Sequence, residues 1–183
     1  EYARRRLDEE GFVHTEHTLN EWNCEVGMRG TSRHAAVTAA MLLGLQDSSL
    51  DSAMFYDARY GVSVYGGLFH PLTAEPFPAY YSFLGFGRLY RLRQQVAAVS
   101  DREDVYVVAA RGKGEGYVMV ANLSGEDIRL RAVLEDGKIA GLETCGIREC
   151  RVIDQTRTWE ICALPDVLAK DMVLCVEVEC SGI

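Results

Sequence analysis

The sequence predicts a multi-domain protein, α/β over residues 1–100 and all-β over residues 101–183. Two observations carry that reading. The first hundred residues run helix, strand, helix, strand, helix, the alternation that builds a parallel sheet or a (β/α) barrel. From Asp101 the chain breaks into about seven short, often alternating runs separated by turn signals, the pattern of an antiparallel β-sandwich.

Glu1 to Glu10 reads as the end of an amphipathic helix stopped by Gly11. Phe12 to Leu19 alternates polar with apolar or β-branched side chains and predicts a strand that delivers Asn20-Glu21-Trp22-Asn23 at its C-terminal end. Gly30-Thr31-Ser32-Arg33 offers helix-start chemistry, and Ala35 to Leu45 is rich in Ala, Met and Leu at helical spacing. Leu50 to Tyr56 predicts a second strand ending in Tyr56-Asp57-Ala58-Arg59. The Gly-rich, aromatic stretch from Tyr60 to Pro76 exceeds a plain connector in length, so it is expected to cover a functional surface. Pro78 opens a third helix, Ala79 to Val99, with Tyr81, Leu84, Leu89, Leu92 and Val96 as its buried stripe. Two strands cannot close a barrel, so this region needs further strands from elsewhere.

In the all-β region the runs are Val105–Ala110, Tyr117–Asn122, Ile128–Leu134, Lys138–Glu143, Glu149–Asp154, Thr158–Ala163 and Met172–Glu179. Ile128, Leu130, Ala132 and Leu134 supply one inward face, and Met172, Leu174, Val176 and Val178 another.

Composition removes several classes of function. With 27 acidic and 19 basic residues the net charge is −8 and no basic face offsets it, which argues against nucleic acid. The longest apolar runs fall short of a bilayer span, so no membrane partner is expected. The chain opens without Met or an apolar signal region and reads as a piece of a longer protein.

Six cysteines, at 24, 145, 150, 162, 175 and 180, lack the two-residue gap of zinc knuckles and are expected to be free thiols in a reducing, cytoplasmic compartment. His14 and His17 lie three apart on a strand and so point to opposite faces. No metal and no cofactor is expected.

The most informative stretch is Leu19-Asn20-Glu21-Trp22-Asn23, one carboxylate at a strand end between two amides. In parallel α/β folds that end is an open rim over a rigid sheet, where reactive groups collect. A nucleophilic carboxylate has to be ionised, which the amides of Asn20 and Asn23 would favour, and an indole such as Trp22 offers a flat face to a sugar ring. Tyr56, Asp57 and Arg59 on the next strand, with Tyr65, Phe69 and His70 on the long loop, are candidate hydroxyl binders and subsite walls. Each has a plainer reading: Trp22 and Tyr56 as core, Asp57 with Arg59 as a mutual ion pair, Phe69 as the loop's packing anchor, His70 as a surface residue.

The ordered set of Asn20-Glu21-Trp22-Asn23, a helix, the Tyr56-Asp57 cluster, Gly67-Leu68-Phe69 through Pro78-Ala79-Tyr80-Tyr81, a long helix and a β-sandwich resembles the C-terminal part of retaining (β/α)8-barrel glycoside hydrolases. The resemblance is to family 39, the β-xylosidase-like group, and its relatives. It implies that residues 1–100 are the end of a barrel helix, strand 7, helix 7, strand 8 and helix 8, and that residues 101–183 are an accessory β-sandwich. It also implies that Glu21 is the nucleophile and that the acid/base sits in an Asn-Glu-Pro segment, which these residues do not contain. The substrate expected is a plant-type oligosaccharide, and the isolated piece is expected to be inactive. The competing reading is a non-catalytic carbohydrate-binding or assembly module with the sandwich as its working part. Open sheet edges favour homo-oligomer formation or strand exchange in a truncated form.

Overall fold

The structure, a computed structural model, describes residues 1–59, 61, 63, 65–131 and 144–181. Helix α1 (Tyr2–Glu9) buries none of its side chains, and Gly11 after it takes a left-handed φ of 86°. The glycine expected to end this helix does so by turning the chain where a Cβ would be strained. Arg4 then reaches back across the turn and donates to the carbonyls of Phe12 and Thr15.

Strand β1 (Thr18–Trp22) is followed by helix α2 (Ser32–Gly44) and strand β2 (Ser52–Phe55), which pairs with β1 in parallel. This is the βαβ order that the sequence predicts. The strand itself starts later than expected. Phe12 and Val13 are each 57% exposed and belong to no strand, because the parallel partner begins only at Ser52. Alternation alone cannot make a strand without a ladder to join. Helix α2 is capped as anticipated, with the Thr31 hydroxyl accepting from the His34 amide.

Helix α3 (Pro78–Leu92) starts at its proline as expected and lies against α2 through small residues. Ala35, Ala36 and Ala39 of α2 are fully buried, as are Ala79 and Ser82 of α3. Ser82 Oγ donates to the Ala35 carbonyl at 2.8 Å, so the two backbones approach closely. The expectation that this helix runs to Val99 is overturned. It ends at Leu92, Arg93 adopts φ 68°, and Gln94–Val96 becomes strand β3 against Ala109–Arg111. Leu89, Leu92 and Val96 fit a helical stripe in sequence, but the exposed edge of the neighbouring strand takes the last of them.

Five longer strands complete one antiparallel sheet with β3. They are β4 (Val105–Arg111), β5 (Glu115–Asn122), β7 (Thr144–Ile153), β8 (Thr158–Cys162) and β10 (Val173–Ser181), in the order β3-β4-β5-β10-β7-β8. Strands β6 (Ile128–Arg129) and β9 (Val167–Leu168) form a separate short ladder. The run expected over Lys138–Glu143, and residues 132–134 of the run from Ile128, lie outside the described residues.

The first half of β10, Val173 to Val176, is buried on both faces. Val173 and Cys175 join a cluster with Val108, Tyr117, Met119, Ile153 and the alanines of α2. Leu174 and Val176 join Val120, Cys150, Val152, Leu168 and Met172 on the other side, with Ile128, Leu130 and Val178 packed against them. The second cluster contains the inward face of Met172, Leu174, Val176 and Val178 and the described part of the other, Ile128 and Leu130; Ala132 and Leu134 lie outside the described residues. The first shows what the sequence did not: one face of the sheet is covered by helices α2 and α3, so a continuous core crosses position 100. Gly85 marks the closest approach, since a Cβ there would lie 3.0 Å from Cys175 Sγ.

Charged groups tie the helices to this sheet. Arg88 of α3 lies 3.2 Å from Glu177 and 3.7 Å from Glu149, above the rings of Tyr117 and Trp159. Arg33 of α2 meets the buried Asp171 at 2.6 Å. A buried carboxylate needs such a partner to offset its desolvation.

Candidate functional site

The C-terminal ends of β1 and β2 sit side by side, joined by the Tyr56 amide donating to the Trp22 carbonyl at 2.8 Å. Consecutive residues of β1 point to opposite faces. Trp22 is 8% exposed, with its ring 5.1 Å from Phe55 and stacked 6.2 Å from Phe83 of α3. Glu21 is exposed on the rim, and among the described residues its carboxylate has no hydrogen-bond or ion-pair partner. Asn20 is exposed beside it. The expectation that Trp22 stacks on a sugar is therefore corrected. Its indole is core, held by an aromatic from a helix some sixty residues later in the chain.

Asn23 has a different task from the one expected. Its Nδ2 donates to the carbonyls of Tyr56 at 2.6 Å and Tyr65 at 3.3 Å, and its Oδ1 accepts from the Cys24 amide at 2.7 Å. The same Oδ1 lies 3.1 Å from His34 Nε2. Since an amide oxygen can only accept, His34 carries its proton on Nε2. Asn23 thus sews the ends of both strands, the long loop and helix α2 together, and its amide is not spent on Glu21.

His34 is fully buried, and its desolvation, helped by the charge of Arg29, pushes the imidazole down to about 4. It is a neutral positioning group. A Cβ on Gly67 would stand 2.6 Å from His34 Cε1, so only glycine lets the long loop cross the histidine. Sequence reasoning missed both residues as members of the site. The available signal was a lone histidine in the first turn of a helix of small apolar residues, three places after its cap.

Tyr56 and Tyr65 remain open to solvent, 39% and 55% exposed, with ring centres 6.1 Å apart. They are the pair that Asn23 holds by its backbone contacts. Asp57 and Arg59 are mainly occupied with each other. The ion pair spans 3.5 Å, the Arg59 amide donates to Asp57 Oδ1 at 3.2 Å, and the guanidinium donates to Ser63 at 3.1 Å. Phe69 packs 5.4 Å from Tyr80 and bridges Pro76. His70 Nδ1 accepts from the amides of Leu72 and Thr73, and its ring meets Phe77 edge-on. Phe69 and His70 thus organise the loop's own turn, the plainer of the two readings open to each. The rim can offer an incoming ligand an open carboxylate and two phenol rings on a braced support.

A shallow groove of about 230 Å³ lined by Leu43, Asp47, Val99, Arg102 and Tyr106 lies at the other end of α2. It shares no residue with the rim. Among the described residues no cluster of three or more His, Cys, Asp or Glu side chains could hold a metal ion.

No known protein family is matched by the sequence, and no curated protein sequence matches it. Solved structures do share its fold. A glucosidase from Croceicoccus marinus superposes with a TM-score of 0.67 at 15% identity, over 97% of this chain and 48% of that one. A family GH30 endoxylanase from Clostridium papyrosolvens gives 0.63 at 11% identity, over 95% and 44%. A family 86 β-porphyranase from Bacteroides plebeius gives 0.65 at 12% identity, over 98% and 37%. The chain thus has the fold of part of several glycoside hydrolases and spans less than half the length of each.

Proposed function

We propose that this chain is the C-terminal portion of a retaining glycoside hydrolase, β-xylosidase-like in the manner of family 39, with Glu21 as its nucleophile. The observation that carries the reading is the state of Glu21: exposed at the C-terminal end of a parallel strand, unpartnered among the described residues, on a rim that also presents Tyr56 and Tyr65. Asp154, Asp171, Glu149 and Glu177, by contrast, are each paired with arginine. The fold shared with the glucosidase and the endoxylanase supports the reading.

In such an enzyme the Glu21 carboxylate attacks the anomeric carbon while an acid placed about 5 Å from it protonates the leaving oxygen. The glycosyl ester on Glu21 then yields to water, activated by the same acid acting now as base. That second carboxyl group would come from outside these residues. The exposed phenol rings would pack against a sugar face, and Asn20 would bond its hydroxyls.

The module reading, with a β-sandwich as the binding surface, loses ground because helices α2 and α3 cover one face of the sheet. The deciding experiment is trapping. The protein at its natural length is incubated with an activated 2-deoxy-2-fluoro-β-xyloside and digested. A glycosyl adduct on the peptide carrying Glu21 supports the assignment; full turnover with no adduct on that peptide removes Glu21 from the mechanism.

A further inference from the structure

Cys150 of β7 and Cys162 of β8 are register partners across an antiparallel ladder. Both side chains lie on one face of the sheet, in the cluster around Val152, Leu168 and Leu174, with Cys150 2% exposed and Cys162 half-buried. Directly opposed residues of such a pair hold their Cα atoms at about 4.5 or 5.5 Å, and both values fall in the roughly 4.4–6.8 Å range of disulfides. Both are free thiols here. Cys175, equally buried, opposes Met119 and Arg151 and has no such neighbour.

We propose that Cys150 and Cys162 form a redox-active pair, which a low-molecular-weight disulfide oxidant converts into a cross-strand disulfide that clamps the edge strand β8 to the sheet. The thiolate of the more accessible Cys162 attacks one sulfur of the oxidant and displaces one thiolate. Cys150, deprotonated, attacks Cys162 Sγ in the mixed disulfide and displaces the second. Protein dithiol and one oxidant disulfide become protein disulfide and two small thiols, the protein's two protons passing to the departing thiolates. Burial pushes both thiols up from their ordinary value, so closure is slow near neutrality and quickens as pH rises.

The clamp would act on more than an edge. Strand β8 carries Trp159, which stacks 5.7 Å from Tyr81 of α3 and lies under the guanidinium groups of Arg88 and Arg151. Fixing β8 fixes the corner where helix, sheet and charge cluster meet.

The test is peptide mapping of the folded protein at its natural length, before and after exposure to oxidised glutathione at about pH 8.5. Arg151 and Arg157 lie between the two cysteines, so trypsin separates them unless they are linked. The expected product is the peptide of Cys150 joined to that of Cys162, lighter by two hydrogens than the sum and resolved by reductant. In parallel, amide exchange across β8 slows about ten-fold or more in the oxidised form, and Cys162→Ser loses both effects. Both thiols remaining alkylatable, separate glutathione adducts on each, or linkage of either to another cysteine would each overturn the proposal.

Discussion

Glu21 and the pair Glu149 and Glu177 are carboxylates of one chain kept in opposite circumstances. Glu149 and Glu177 lie part-buried on the sheet and share Arg88, with Arg151 at 2.6 Å from the first and Arg148 at 3.1 Å from the second. The hydrogen bond from Arg151 holds Glu149 below the usual carboxylate range. Glu21 has no such arginine among the described residues and stands on the rim of a two-stranded parallel ladder. Glu149 and Glu177 serve the fold and are neutralised where they sit. A carboxylate left open at the end of a braced strand is available to a ligand.

The contrast can be broken most directly at Glu21. Glu21→Gln in the full-length protein is expected to lower kcat on an aryl β-xyloside by about a thousand-fold or more while leaving thermal unfolding unchanged. Equal activity of the two proteins would end the distinction. On the structural side, Leu174→Ala empties a position 1% exposed between β5 and β7 and should cost about 4 kcal/mol, read as a drop in the urea midpoint at constant slope.

The support beneath the rim can be read through pH. His34 is held at about 4 in the folded protein against an ordinary value near 6.5, so between those values the unfolded chain binds the extra proton. Stability is present above about pH 6.5 and falls as pH drops toward 4, by about 3 kcal/mol in all. His34→Gln should flatten that window in a chemical-denaturation series. Glu149, depressed by its arginines, contributes above its unfolded value near 4.3 and loses that contribution only at lower pH. The smallest effect is expected at Arg88. Arg88→Met keeps the aliphatic stem over Trp159 and Tyr117, and should cost about 1 kcal/mol or less, since the ion pairs it breaks are partly solvated. A loss of several kcal/mol would mean that the cluster is a structural keystone.

Much of the architecture was legible because it rests on local chemistry. Thr31 before a run of alanines, Pro78 at a helix start and Gly11 after a helix each impose a backbone conformation on their own segment. The alternation of Met172, Leu174, Val176 and Val178 located one core face, but Val173 and Cys175 between them were equally buried under helices that no local pattern announces. The site divides in the same way. Glu21 at a strand end was visible from the extended run before it, while the roles of Trp22, Asn23, Phe69 and His70 depended on partners such as Phe83, Tyr65, Tyr80 and Thr73 supplied by folding.

The amino-acid order by itself determined where helices α2 and α3 begin, the parallel pairing expected of β1 and β2, and the placing of one acidic side chain at a strand's end. These follow from dihedral preference and side-chain period, which act over a few residues. Only the tertiary structure decided that α3 stops at Leu92 to free an edge strand, that Trp22 turns inward, and that Asn23 and His34 brace the rim. Each of those outcomes is set by competition for burial and hydrogen-bond partners between segments far apart in the chain, a balance that no short window of sequence contains.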